Sequence, residues 1–141
     1  MTETGRGHRA LPHTADVILE AWAPDFPGCC EEAVTAVVDA CVDRSGAVVV
    51  GHHGLPIAAA SQETMLLDAV EGLIFVLDTE RDVPVGAEVR AVDGGALELR
   101  LTMADRTTVE PIGSGPKAVS RSGFELLTGP DGVRCRFLID V

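Results

Sequence analysis

The chain has no run of apolar residues approaching the ~20 needed to cross a bilayer as a helix, so its 141 residues are expected to stay off the membrane. Residues 1–9 lack an apolar signal core, which argues against export and for the cytoplasm. Basic side chains are scarce, 11 against 22 acidic ones, for a net charge of −11. Phosphate contacts rest on lysine and arginine, so independent binding to nucleic acid is not expected. A bound cation or a basic protein partner fits that charge better. Only one lysine is present, Lys117. None of the four cysteines (Cys29, Cys30, Cys41, Cys135) forms a C-x-x-C pair, which leaves no zinc pattern, and they read as reduced and structural. No serine sits in a glycine-flanked nucleophile elbow. Gly113-Ser114-Gly115-Pro116-Lys117 fails as a phosphate-cradling loop, because Pro116 removes an amide donor and no helix pattern follows. Internal repeats and low-complexity tracts are also missing.

What is present is ordinary globular material, 46% hydrophobic and 23% charged, enough for one domain that buries roughly 70% of its unfolded surface. Residues 1–8 read as a disordered lead-in and 9–141 as the domain. Asp16 to Ala23 (DVILEAWA) alternates as a strand and stops at Pro24-Asp25. Cys30, Ala33, Val34, Val37, Val38 and Cys41 form a helical stripe within 28–43, with Glu31 and Glu32 placed in its first turn to meet the dipole. Ser45 to Val50 reads as a short buried strand or as the tail of the helix region, and Gly51 to Pro56 as a turn. Its two histidines, His52 and His53, are expected as a solvated loop pair, since neighbours in a strand point to opposite faces and chelate poorly.

A second helix opens after the N-cap Ser61 with Glu63 in its first turn. Its stripe of Met65, Leu66, Ala69, Val70, Leu73, Ile74 and Leu77 is wide enough to imply burial between layers. Asp78 to Asp82 closes it before Pro84. The last third reads as strands: 88–92 and 96–103 around Asp93-Gly94-Gly95, then 117–127 and 132–141 around Gly129-Pro130-Asp131-Gly132. The element order implies an α+β fold of antiparallel or mixed β-sheets with two helices packed between or against them.

Two stretches carry chemistry. Pro12-His13-Thr14-Ala15-Asp16 puts a carboxylate at the start of a strand, and Asp140-Val141 puts a carboxylate and an α-carboxylate at the end of another. If these strands pair, three anionic groups meet. An all-oxygen set of that kind suits calcium, magnesium or manganese and not zinc or copper. His13 is an added ligand, a partner contact or a structural residue. Asp78 and Glu80 read as a solvated helix exit, and Lys117 as an exposed strand lysine or a partner of the carboxylates. The same carboxylates would serve a metal-dependent phosphoesterase or hydrolase, although no general base is evident.

His13-Thr14-Ala15-Asp16 before a strand, the Glu31-Glu32-Ala33 helix, Leu77-Asp78-Thr79-Glu80, Lys117-Ala118-Val119 and the closing Phe137-Leu138-Ile139-Asp140-Val141 together resemble the archease family. The resemblance runs from about residue 8 to the end. It implies an accessory protein, not an enzyme, that activates an RtcB-type RNA ligase of tRNA splicing and repair. The activation promotes guanylylation by GTP and repeated turnover. It also implies a metal site at Asp16, Asp140 and Val141, a functional lysine at Lys117 and a loop at Asp78–Glu80 near that site. The chain departs from the family at Ser120-Arg121-Ser122, where Thr-Tyr-His is usual, and it has no tyrosine.

Overall fold

The computed structural model describes residues 5–11 and 16–141. Nine strands and two α-helices follow one another along the described chain: β1 (Gly7–Leu11), β2 (Asp16–Ala23), α1 (Phe26–Cys41), β3 (Val42–Asp43), β4 (Val49–Ile57), α2 (Gln62–Thr79), β5 (Val83–Ala91), β6 (Leu97–Ala104), β7 (Glu110–Pro111), β8 (Ala118–Gly129) and β9 (Gly132–Asp140). They form a four-stranded sheet in the order β1-β2-β9-β8, a three-stranded sheet β4-β6-β5, and a small β3-β7 pair. Every pairing is antiparallel. Both helices pack against strands of both sheets, α1 on β2 and β5 and α2 on β8, β5 and β4, so the helical layer lies between them. The α+β expectation holds.

Local sequence explains the elements. Asp25 caps α1, its carboxylate accepting from the Gly28 N–H at 2.8 Å, and Ser61 caps α2 by accepting from the Thr64 N–H at 3.2 Å. The α1 stripe from Cys30 to Cys41 is buried throughout. Helix α2 buries Leu67 and Val76 as well as the expected stripe up to Ile74, with Leu77 half-buried, because it faces a sheet on each side. In β9, Val133, Cys135, Phe137 and Ile139 point into the core, while Arg134, Arg136, Leu138 and Asp140 take the outer face. Gly132 turns β8 into β9 with φ +121, against the carbonyl of Ala23 at the end of β2.

Several expectations need correction. Of the stretch expected as a short buried strand and then a turn, Val49 to Pro56 belongs to one edge strand, β4, and Val48, Val49 and Val50 are each more than half exposed. Glycine and proline signal turns by propensity, but an edge strand tolerates both. His52 and His53 therefore lie in a strand, not a loop, and His53 Nδ1 stands 3.5 Å from the Glu80 carboxylate. Helix α1 begins at Phe26, so Glu31 and Glu32 fall beyond its first turn. They bind β1 instead. Arg6 donates to Glu31 at 2.6 Å and to Glu32 at 2.7 Å, and the His8 ring meets Glu32 at 2.8 Å and Asp39 at 2.7 Å. Strand β1 thus starts at Gly7, inside the 1–8 segment expected as a lead-in. Strand β5 starts at Val83, before the expected Glu88, and takes in Pro84 beside a register break.

Candidate metal centre

The register of β2 on β9 sets Asp16 directly opposite Asp140. Residues so paired project to the same face with Cβ atoms roughly 4.5–5.5 Å apart. Strand β8 closes on the other side of β9, with Ala118 opposite Asp140, and the Lys117 N–H donates to the Asp140 carbonyl at 2.7 Å. Three strand ends therefore converge on two carboxylates and one lysine. Asp140 and Lys117 are exposed and Asp16 is half-buried. Like charges directly opposite one another repel. Val141 follows Asp140 and is 38% exposed.

The outer face of this sheet is ordered in rows. Gly7, Trp22, Arg134 and Leu127 form one; Arg9, Glu20, Arg136 and Glu125 the next; Leu11, Ile18, Leu138 and Ser120 a third; Asp16, Asp140 and Ala118 the last. The guanidinium groups of Arg9 and Arg134 lie over the Trp22 ring, 4.7 and 5.5 Å from its centroid. The second row alternates cation and anion across all four strands, with Arg9 3.6 Å from Glu20. Among the described residues, the last row has two carboxylates and no directly opposed cation.

Asp78 stands at the mouth of a cavity of about 430 Å³ between the C-terminal ends of the helices, lined also by Cys41, Leu77, Arg106 and residues 113–116. Pro116 is part of its wall, so the cavity ends one residue before Lys117 and the Asp140 contact. Glu80 is elsewhere: its carboxylate faces His53 on β4, and its carbonyl accepts from Arg106 at 3.2 Å. Arg106 also donates to the Arg81 carbonyl at 2.8 Å, which holds the α2–β5 connection. His13 lies outside the described residues. Among the described residues no group of three or more His, Cys, Asp or Glu side chains is placed to hold a metal. Asp16 and Asp140 are thus a pair of carboxylates, with Val141 next along the chain.

The four thiols are free and buried. Burial pushes Cys41 up to about 11 and raises Cys30 further. Cys135 is raised by its hydrogen bond with Cys29 and then by burial. These sulfurs are poor nucleophiles at neutral pH, in keeping with a core role. Sequence reasoning missed the latch of β1 onto α1, and Arg106. The available signal for the latch was acidic residues Glu32 and Asp39 seven apart on one helix, two turns along one face. Among the described residues no helix is long and apolar enough to cross a membrane.

Comparison with known proteins bears on the family and the fold. The archease protein family (MTH1598/TM1083) matches residues 8–141. The probable protein archease of Mycobacterium tuberculosis is 36% identical over 138 residues, covering 98% of this chain and 76% of that protein. The protein archease of Archaeoglobus fulgidus is 24% identical over 135 residues, 95% of this chain and 98% of that one. Among solved structures, protein 1598 of Methanobacterium thermoautotrophicum superposes with a TM-score of 0.72 at 20% identity over 96% of this chain and 99% of that chain. An archease of Thermotoga maritima, described as a possible chaperone, gives 0.67 at 17% identity over 94% of this chain and 96% of that chain. These two show the shared fold.

Proposed function

The chain belongs to the archease family, and on that footing we propose that it is a metal-binding accessory protein that activates an RtcB-type RNA ligase. It promotes the ligase's GTP-dependent guanylylation and its multiple turnover in tRNA splicing or RNA repair, in the cytoplasm, without chemistry of its own. The observation that carries this reading is the pairing of Asp16 with Asp140 where β2, β9 and β8 end. Asp16, Asp140 and the α-carboxylate of Val141 hold one divalent cation. Their all-oxygen donor set suits Ca²⁺, Mg²⁺ or Mn²⁺. A bound ion offsets the repulsion between the two aspartates and couples docking of the β9 end to binding.

Within this site Lys117 carries the positive charge nearest Asp140 along β8 and meets a phosphate or an acidic group of the partner. His13 supplies a further ligand or a partner contact, and Asp78 marks the cavity that receives part of the ligase. The net charge of −11 steers the protein to a basic surface on the ligase and away from RNA itself. The test is a multiple-turnover ligation with catalytic ligase, RNA, GTP and manganese. Adding this protein should convert a reaction that stalls near one turnover into one that continues, and Asp16→Ala should abolish that effect while keeping the far-UV spectrum. Unchanged ligase turnover would overturn the reading. Phosphoesterase activity of the protein alone would favour a metal-dependent hydrolase instead.

A further inference from the structure

The two larger sheets have four edge strands, β1 and β8 in one and β4 and β5 in the other. An exposed edge is a template for adding a strand, and folds usually obstruct it. Three of these edges are obstructed. Along β5, Arg44 donates to the Val85 carbonyl at 2.8 Å and the Val89 N–H is taken by Glu31 at 3.0 Å. Strand β1 is held by the Arg6 and His8 latch. Strand β8 breaks register between Ser120 and Glu125, around Gly123 at φ +77.

Strand β4 differs. Its own irregularity falls at its start, between Val49 and Gly51, and from Gly51 to Ile57 it runs in unbroken register on β6. At one end Val48 is engaged, its N–H by the Thr108 hydroxyl at 3.0 Å and its carbonyl by the Asp105 N–H at 2.9 Å. Near the other end Pro56 has no N–H to give. The open edge therefore runs from Val49 to Leu55. It is apolar as well as open, with Val49 54% and Val50 53% exposed. Phe75, the most exposed large hydrophobic residue described at 64%, flanks it. Helix α2 passes beside β4 with Gly72 against Leu55 and Glu80 against His53, and Phe75 lies one turn beyond Gly72 on that flank.

The stretch also lacks charge. Between Arg44 and Glu63 lie 18 residues without Asp, Glu, Lys or Arg, the longest such interval in a chain of net charge −11. A basic partner drawn to this protein would be met by acidic side chains, and β4 itself carries none, Glu80 beside His53 coming from the end of α2. An uncharged edge fits another uncharged edge. We propose that β4 pairs antiparallel with β4 of a second copy of this chain, joining two three-stranded sheets into one continuous sheet. Across a twofold axis the stretch meets itself with no opposed like charges, and the contact is isologous and closed, leaving no further β4 edge to grow from.

The full chain is tested by sedimentation velocity from low to high micromolar concentration, in low salt and in about 0.5 M NaCl, where the Debye length is about 4 Å. A monomer–dimer equilibrium is expected, tighter in high salt because screening weakens the mutual repulsion of two acidic chains. Val50→Lys, which sets like charges on the open edge, and Phe75→Ser, which removes its flanking ring, should each raise the dimer Kd about tenfold or more. Both positions are exposed, so the far-UV spectrum stays unchanged. In hydrogen exchange, amides within Gly51–Leu55 should gain protection in the dimer. A monomer at every concentration and salt, a Val50→Lys variant that dimerises like the parent, or dimer-dependent protection elsewhere would each overturn the proposal.

Discussion

Replacing Asp16 by Asn should change the sign of its effect on stability according to whether a divalent cation is present. Asp16 and Asp140 are opposed in register at the end of an antiparallel pair, which puts their charges about 5 Å apart. Asp140 is exposed and Asp16 half-buried, so the effective dielectric is near that of water, and the repulsion is about 0.8 kcal/mol. With chelator present, Asp16→Asn removes that repulsion and keeps the shape of the side chain. The midpoint of thermal unfolding should therefore rise by about 2–3 °C for a chain of this size. With Ca²⁺ or Mn²⁺ at a hundredfold excess over Kd, the parent protein should gain about 2.7 kcal/mol and the variant little or nothing. The order of the two midpoints then inverts. Scanning calorimetry of both proteins, with chelator and with each metal, measures all four values. If Asn lowers the midpoint in chelator, or if metal raises both proteins equally, the two carboxylates do not share an ion and the proposed centre fails.

Two further outcomes test the scaffold. Gly132→Ala should destabilise the fold by about 2 kcal/mol or more, read by urea titration, because Gly132 has φ +121 and an added Cβ would strike the Ala23 carbonyl; a loss under ~0.5 kcal/mol would contradict the described β8–β9 turn. The buried thiols predict an alkaline limit. Cys41 rises from its ordinary value of 9.0 to about 11 through burial, and Cys135 rises through its hydrogen bond with Cys29 and through burial. A raised folded-state pKa contributes stability that is complete below the unfolded value and is lost as pH climbs through the folded one. Urea midpoints should therefore hold up to about pH 9 and fall towards pH 11, and a thiol reagent at pH 8 should label the native chain far more slowly than the denatured chain.

The parts of the fold legible in the sequence are those whose burial is periodic. The step from Cys30 to Cys41 has only one amphipathic solution, and it is the buried face of α1. Alternation in β6 and β9 likewise matches their core faces. Legibility failed where tertiary contacts decide the conformation. In β4, Gly51, Gly54 and Pro56 carry turn propensity, but pairing with β6 over most of its length overrides it. In β1, the run Gly7-His8-Arg9-Ala10-Leu11 has no apolar face to read, and its partners, Glu31, Glu32 and Asp39, lie more than 20 residues away. Of the candidate centre, alternation alone shows that Asp16 and Asp140 each sit on the outer face of a strand. Their direct opposition depends on the register of β2 against β9, which no local pattern specifies. Glu80 shows the reverse: it read with Asp78 as a solvated helix exit, and the break after α2 turns its carboxylate to His53 on β4.

Why the carboxylate row should need an ion, when arginines stand on the same sheet face, is a question of reach. The ionic row of Arg9, Glu20, Arg136 and Glu125 is balanced within itself. It lies four residues from Asp16 along β2, about 13 Å at the rise of an extended strand. That exceeds the length of an arginine side chain and is longer than the Debye length of about 8 Å at physiological ionic strength. Between them runs the apolar row of Leu11, Ile18 and Leu138, which offers neither charge nor hydrogen bond. The arginines therefore cannot neutralise the strand ends, and α1 holds Arg6 and His8 at the far end of β1. Lys117, preceding Ala118 on β8, is held beside the Asp140 end of β9 by its N–H bond to the Asp140 carbonyl. Among the described residues, one lysine against two aspartates leaves this end of the sheet net negative. Lys117→Met should accordingly tighten Ca²⁺ binding, measured by titration calorimetry, while Lys117→Arg leaves it near the parent value. Weaker binding in the methionine variant would mean that the ammonium positions the Asp140 end of β9 and does not compete with the ion.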